Sequence, residues 1–189
     1  MGSRGAAKWA KKKAWLEKRG VIEATAEDEV GEEGVGGGDG FVTIVGGGRI
    51  GGLLSGGGPN LLLGRDDTIP PDGEGTPIFV ATRNDALEGI IESCPENRRN
   101  DLVFLQNGYL DDFLSSKGLL DNTQVLLFVS VTARGADPVD GVTSVNPEGL
   151  TAAAGVHASA FKDRLAALDL KCNVVDPGEY RPAMFEKLM

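Results

Sequence analysis

The stretch that most constrains the fold spans residues 41–52 and reads FVTIVGGGRIGG. Its first five residues are apolar or β-branched and predict a buried strand that ends at the glycines. Gly46, Gly48 and Gly51 have the G-x-G-x-x-G spacing of a dinucleotide-binding turn. In such a turn the first glycine makes the bend, the second admits the pyrophosphate, and the third lets the helix pack on the strand.

The residues after the turn favour the same interpretation. Ile50, Leu53 and Leu54 begin an apolar helical face, so the turn lies between a strand and a helix. The amide groups at the start of that helix, at Arg49 and Ile50, would receive the phosphates. Because the chain has 28 glycines, chance matches to the spacing are expected. A glycine turn without a ligand is therefore the alternative.

Composition excludes several classes of function. The net charge of -9 argues against a general nucleic-acid binder, since phosphate backbones require a basic surface. No apolar run approaches the roughly 20 residues of a membrane helix. Cys94 and Cys172 lie far apart and the chain has one His, so neither a zinc or other metal site nor a disulfide scaffold is favoured. We expect reduced thiols in an intracellular, cytoplasmic protein, with a plastid as the alternative.

The first 40 residues differ from the rest of the chain. Residues 1–19 carry seven Lys or Arg, and residues 20–40 carry seven acids and no base. Blocks of like charge beside glycines predict a disordered basic-then-acidic extension and linker. An organelle address in the basic part is the minority alternative.

Residues 41–189 alternate between predicted strands and helices. The further strands are 60–64, 77–81, 101–106, 124–131 and 172–175, with a weak one at 142–145, and the further helices are 85–93, 110–117 and 157–168. The first helix should be short, because SGGGP follows it. Buried strands separated by helices predict a Rossmann-type, doubly wound α/β fold with a mostly parallel sheet.

Polar residues follow the predicted strands at their carboxyl ends, where ligands bind on such sheets. Arg65 ends the second strand, at the position where an acid holds the 2′-hydroxyl of NAD and an Arg accommodates the 2′-phosphate of NADP. We therefore favour NADP (NADPH), although Asp66 and Asp67 leave NAD open. The remaining residues predicted to bind the cofactor are Thr82, Arg83, Asn84 (also the expected helix N-cap) and Asn107.

The order GGGRIGG, LLLGR, VATRND, LVFLQNG and FEKLM resembles the ketopantoate reductase family over residues 41–189, most closely its plant and algal relatives. The resemblance implies an NADP(H)-binding Rossmann domain and hydride transfer from NADPH to a 2-keto acid. It matches Gly46, Gly48 and Gly51 to the family's glycine loop and Arg65 to its phosphate-binding Arg. Arg83 stands where the family has a Lys near the cofactor, so the charge is kept while the geometry changes.

The resemblance also implies catalytic roles for Asn107 and Lys187. Asn107 matches the active-site Asn of the QNG turn, and Lys187 matches the Lys that protonates the developing alkoxide. Lys187 is the third residue from the end, so the helical domain that would close over the substrate is missing. Either the sequence is truncated, or the fold is kept as a nucleotide-binding module without turnover. Whether the chain is an enzyme is therefore uncertain.

Other functions stay open. An NADPH-sensing protein would need the glycine loop and Arg65 but neither Lys187 nor Asn107. An interaction protein with a vestigial Rossmann domain would bind no nucleotide. A short-chain dehydrogenase is disfavoured, because no Tyr-x-x-x-Lys occurs. Residues 181–189 should begin a helix whose Met184, Phe185 and Leu188 lack packing partners, an apolar end that would favour a homodimer. We expect His157 to face solvent at the start of a surface helix.

Overall fold

The computed structural model describes residues 40–188, so the expectations for the charged extension lie outside the described residues. Within the described range, no helix combines the length and the apolar character needed to cross a membrane.

The described chain alternates strands with helices. The strands are β1 (Val42–Val45), β2 (Asn60–Leu63), β3 (Ile78–Val80), β4 (Leu102–Phe104), β5 (Thr123–Leu126), β6 (Val129–Ser130), β7 (Val139–Asp140), β8 (Ala152–Ala154) and β9 (Asn173–Val174). The α-helices are α1 (Arg49–Ser55), α2 (Leu87–Ser93), α3 (Asp111–Ser116), α4 (Ala158–Ala166) and α5 (Pro177–Leu188), and 3-10 helices span Asn84–Ala86 and Glu96–Asp101.

Seven strands form one sheet in the order β2-β1-β3-β4-β5-β8-β9. All neighbours pair in parallel except β5 and β8, which are antiparallel. The predicted Rossmann-type, mostly parallel α/β fold is therefore confirmed. β1 pairs with β2 on one side and with β3 on the other, so the chain crosses over β1 between these two strands. The order of strands changes direction at β1, and ligands bind at such a switch point.

Helices cover both faces of the sheet. Leu87, Ile91 and Leu114 of α2 and α3 pack on one face, and Leu54 and Phe161 of α1 and α4 pack on the other. The three residues of β3 are completely buried, as expected for a strand covered on both faces. Burial in these cores raises the pKa of Cys94 to about 11 and that of Cys172 to about 12, so both free thiols are poor nucleophiles.

The strand predicted at 124–131 is too long, and the one at 142–145 is wrong. β5 ends at Leu126, and Val129–Ser130 leaves the sheet to form a hairpin with Val139–Asp140. The side chain of Asp140 accepts a hydrogen bond from the amide of Val142, which makes a turn instead of a strand. The strand that enters the sheet is β8, whose three alanines have low strand propensity and gave no sequence signal.

The last helix begins earlier and packs better than predicted. α5 starts at Pro177, a favoured first helical residue, and its Met184 is buried against Leu126, Ala152 and Ala154. The expectation that Met184 lacks packing partners is wrong, because the small β8 side chains leave room for it.

Phe185 is half-exposed and stacks on Tyr109, with their ring centroids 5.7 Å apart. It therefore has a packing partner, contrary to expectation.

His157 does not face solvent, contrary to the prediction. Because β8 runs antiparallel to β5, it ends at the amino edge of the sheet, the edge that precedes β1–β5, and the chain turns there into α4. His157 is buried at that turn, its amide donates to Thr123 Oγ1 at 2.9 Å, and its Nε2 lies 3.5 Å from Asp101 Oδ1. It lies on the opposite edge from the glycine turn.

A buried ion pair organises the same amino edge. The Arg98 Nε donates to Asp101 Oδ2 at 2.6 Å, and only 1% of Arg98 is exposed. Its other nitrogens donate to the carbonyls of Pro70, Asp72 and Thr76. The long loop between β2 and β3 is thereby fixed to the start of β4.

We expect Asp101→Asn to lower the free energy of unfolding by about 3 kcal/mol or more, since the Arg98 guanidinium would stay buried without its counter-charge. Urea unfolding followed by circular dichroism measures the change. Asp163→Asn on the exposed side of α4 is the matched control and should change stability by less than about 0.5 kcal/mol. Equal stabilities of the two variants would contradict a structural role for the pair.

Candidate functional site

The glycine turn after β1 has the close packing that its spacing predicts. Gly46 has a φ of 106°, and a Cβ on it would lie 2.6 Å from the carbonyl oxygen of Ala81. A Cβ on Gly51 would lie 1.8 Å from the carbonyl oxygen of Gly46. A Cβ on Gly48, by contrast, would meet nothing within 4 Å. The first and third glycines therefore serve packing, and the second leaves the turn open.

Arg49 and Ile50 begin α1, and their side chains contact the protein. The Arg49 Nη1 donates to the carbonyl of Val131 at 3.1 Å, and Ile50 packs against the buried core. No side chain caps the start of this helix among the described residues. These two residues offer a ligand their backbone, and Arg49 also offers the guanidinium donors that Val131 does not engage.

The charged residues that follow β2 make different contacts. The Asp67 Oδ2 accepts a hydrogen bond from the amide of Gly64 at 2.9 Å, so this carboxylate closes the turn. Arg65 is exposed, and within residues 40–188 no hydrogen bond or ion pair engages its guanidinium. Of the predicted cofactor residues at this strand end, Arg65 is free to meet an anion. Asp66 is exposed beside it.

The end of β3 differs from the predicted arrangement in two respects. Arg83 and Asp85 are both exposed and form a bidentate ion pair. The hydrogen bond that Arg83 donates to the Asp85 carboxylate raises the pKa of Arg83. Asn84 does not cap a helix but begins the 3-10 helix, and its Nδ2 donates to the carbonyl of Asn107 at 3.3 Å. Asn84 thus links the ends of β3 and β4.

Two buried polar atoms at this edge have no hydrogen-bond partner among the described residues. They are Thr82 Oγ1 after β3 and Gln106 Oε1 after β4. The Nε2 of Gln106 donates to the carbonyls of Val80 and Thr82, so its amide is fixed in place. The sequence analysis did not select Gln106, although a polar residue that ends the apolar run LVFL was a signal for it.

The structure brings Asn107 and Lys187 together, although 80 residues separate them. The Lys187 Nζ donates to Asn107 Oδ1 at 2.7 Å and to the carbonyl of Leu127 at 2.7 Å, and it lies 4.2 Å from the ring centroid of Phe128. These three contacts favour the charged amine. Partial burial acts in the opposite direction and lowers the pKa of Lys187. The result is a held ammonium group that releases its proton more readily than a free lysine.

Sequence reasoning also missed Arg134, which lies in the loop between β6 and β7. A Cβ on Gly47 would lie 3.7 Å from its Nη2, so the side chain extends towards the glycine turn. The loop sequence gave no signal for this placement, because the contact depends on the hairpin that the predicted long strand concealed.

Comparison with known proteins gives only distant likenesses. No protein-family model and no curated protein matches the sequence. A probable 2-dehydropantoate 2-reductase from Bacillus subtilis shares 16% identity over 78% of this chain and 62% of its own, with a TM-score of 0.47. A dimeric ketopantoate reductase from Staphylococcus aureus shares 17% over 78% of this chain and 58% of its own, with a TM-score of 0.46.

A ketopantoate reductase of the PanE/ApbA family from Ralstonia eutropha shares 13% identity over 71% of this chain and 56% of its own, with a TM-score of 0.46. The chain thus spans about three fifths of the length of these structures. Likenesses this weak do not establish membership of a family.

Alanine substitutions at Gly51 and Gly48 should distinguish the glycine that serves packing from the one that serves ligand binding. We expect Gly51→Ala to lower the free energy of unfolding by about 3 kcal/mol or more, because its Cβ has no space. Gly48→Ala should change stability by less than about 1 kcal/mol, since its backbone suits any residue. Its Cβ would occupy the space that a phosphate needs, so affinity for NADPH should fall roughly tenfold.

Urea unfolding and calorimetric titration with NADPH measure the two effects. Gly89→Ala on the exposed side of α2 is the matched control, because a Cβ there also meets nothing within 4 Å. It should leave affinity unchanged. Unchanged affinity in Gly48→Ala would contradict phosphate binding at the turn.

Proposed function

We propose that the chain binds NADP(H) at the carboxyl edge of the sheet, the edge formed by the residues that follow β1–β5. We further propose that Lys187 and Asn107 form the reactive end of an oxidoreductase site for a 2-keto acid. The observation that carries the proposal is the 2.7 Å contact between Lys187 Nζ and Asn107 Oδ1. It lies on the same edge as the open glycine turn.

Three features of this edge fit a phosphorylated dinucleotide. The glycine turn is open at Gly48, as close approach of a diphosphate requires. The unpartnered atoms at Thr82 and Gln106 are tolerated best where a ligand or water completes their hydrogen bonds. Arg65 supplies positive charge at this edge in a chain whose net charge is -9. Arg65 suits a 2′-phosphate better than a hydroxyl.

The chemistry follows from the environment of Lys187. Bound NADPH would supply the hydride to the keto carbon. The Lys187 ammonium would donate a hydrogen bond to the keto oxygen, polarise the carbonyl, and give its proton to the oxygen as the alkoxide forms. Burial lowers the pKa of Lys187, which assists that proton transfer. Asn107 acts by accepting from the same amine and holding it at the edge.

Binding of NADPH without turnover is the second candidate. Asn107 is exposed, and Tyr109 and Phe185 beside it are about half-exposed. A site so open to water stabilises a developing charge less than a closed one. A protein that senses NADPH would use the same turn and the same Arg65 but would not require proton transfer by Lys187.

Calorimetric titration of the full chain with NADPH and, separately, NADH tests the cofactor. NADPH should bind about tenfold or more tightly than NADH, and Arg65→Ala should remove most of this preference, because it removes a charge-assisted contact to the 2′-phosphate. Lys162→Ala on α4, which also removes one exposed cation, should leave both affinities unchanged. Failure of the parent chain to bind either nucleotide would overturn the proposal.

Steady-state oxidation of NADPH with a panel of 2-keto acids tests the reaction. Lys187→Ala should lower kcat by about 100-fold or more while leaving affinity for NADPH nearly intact. In the parent, the rate should fall as pH rises through the lowered pKa of Lys187, since only the protonated amine can act as the acid. NADPH binding without any turnover in the parent would favour the sensing function instead.

A further inference from the structure

The loop between β6 and β7 places an arginine against the glycine turn. A Cβ on Gly52 would lie 3.7 Å from both Cγ and Nε of Arg134, and one on Gly47 would lie 3.7 Å from its Nη2. The side chain therefore extends along the first turn of α1, with Nη2 beside Gly47, the residue before the open Gly48.

The hairpin that carries this arginine is tied to the same helix. The Arg49 Nη1 donates to the carbonyl of Val131, at the point where the chain leaves β6. The loop closes on itself through a hydrogen bond from the amide of Ala136 to the carbonyl of Ala133. These contacts fix the position from which Arg134 extends, so its proximity to the turn follows from the packing of the hairpin.

The guanidinium of Arg134 is left without an acceptor. It is exposed, and within residues 40–188 it forms no hydrogen bond or ion pair, although Asp137 lies three residues later in the same loop. A guanidinium presents five donors in a fixed fork that suits two phosphate oxygens at once. Arg49, the other arginine beside the turn, differs from Arg134 in that its Nη1 donates to the carbonyl of Val131.

We propose that Arg134 binds the diphosphate of the dinucleotide, covering it from the hairpin side while the backbone of the glycine turn holds it from the other. This assignment rests on the proposed function, since it concerns the same cofactor site. It gives the two arginines different tasks: Arg65 recognises the 2′-phosphate and selects NADP over NAD, whereas Arg134 binds the part that both nucleotides share.

The test is calorimetric titration of the full chain and of Arg134→Gln with NADPH and NADH. We expect Arg134→Gln to lower the affinity for both nucleotides by roughly tenfold, because one charge-assisted contact is lost. The ratio of the two affinities should stay unchanged. Lys162→Gln is the matched control and should change neither affinity. Because Arg134 is exposed, the melting temperature of the variant should equal that of the parent.

Smaller probes locate the contact on the ligand. The compound 2′-phospho-ADP-ribose contains the diphosphate, whereas 2′-AMP does not. Arg134→Gln should therefore weaken the binding of 2′-phospho-ADP-ribose and leave the binding of 2′-AMP unchanged. Equal weakening of both probes would show a general charge effect and overturn the assignment.

If the parent binds NADPH and Arg134→Gln binds it equally well, the assignment alone is wrong. If the parent binds neither nucleotide, the proposed function fails, and the role of Arg134 fails with it.

Discussion

The rest of the structure depends on the contact between the first and third glycines of the turn. A Cβ on Gly51 would lie 1.8 Å from the carbonyl oxygen of Gly46, and Gly46 itself lies against the backbone of Ala81. Small side chains complete the contact: Thr82 Cγ2 would lie 2.8 Å from a Cβ on Gly46, and Ala81 Cβ would lie 3.4 Å from a Cβ on Gly51. The inner side of the turn is thus filled by backbone and two small side chains, whereas its outward side, at Gly48, is open. The same packing that holds the strand and helix together therefore creates the space at the carboxyl edge.

Helix α5 shows how apolar packing positions a charged group. Tyr180 and Met184 are buried against β5 and β8, where Ala152 and Ala154 are small enough to let the helix approach. Lys187 follows Met184 by about one helical turn, and its amine reaches Asn107 after β4 and the carbonyl of Leu127 after β5. Burial of one methionine and one tyrosine thus fixes where the ammonium group lies. Without α5, Asn107 would face solvent alone.

Patterns local to the chain predicted much of this fold. The alternation of apolar runs with helices predicted the parallel strands, and the glycine spacing predicted the turn, because both depend on residues close in sequence. β8, the hairpin and the burial of His157 depend on partners far along the chain, such as Thr123 and Asp101, and spacing could not reveal them. At the site, the residue types at strand ends were predictable. The pairing of Arg83 with Asp85 was not predictable, nor was the lack of a partner for Arg65 and Arg134 within residues 40–188.

The two edges of the sheet place their arginines differently, and the difference separates a structural role from the proposed binding role. At the amino edge, Arg98 donates to Asp101 and to three carbonyls, so a buried charge is almost fully neutralised and a long loop is held. At the carboxyl edge, Gln106 has an oxygen without a partner, and Arg134 has no acceptor among the described residues. Among the described residues, buried atoms without a partner also occur away from this edge, at Arg99 Nε and Arg164 Nη1. What distinguishes the carboxyl edge is the exposed guanidinium of Arg134 beside an open glycine turn, an arrangement that suits the phosphates of the proposed ligand.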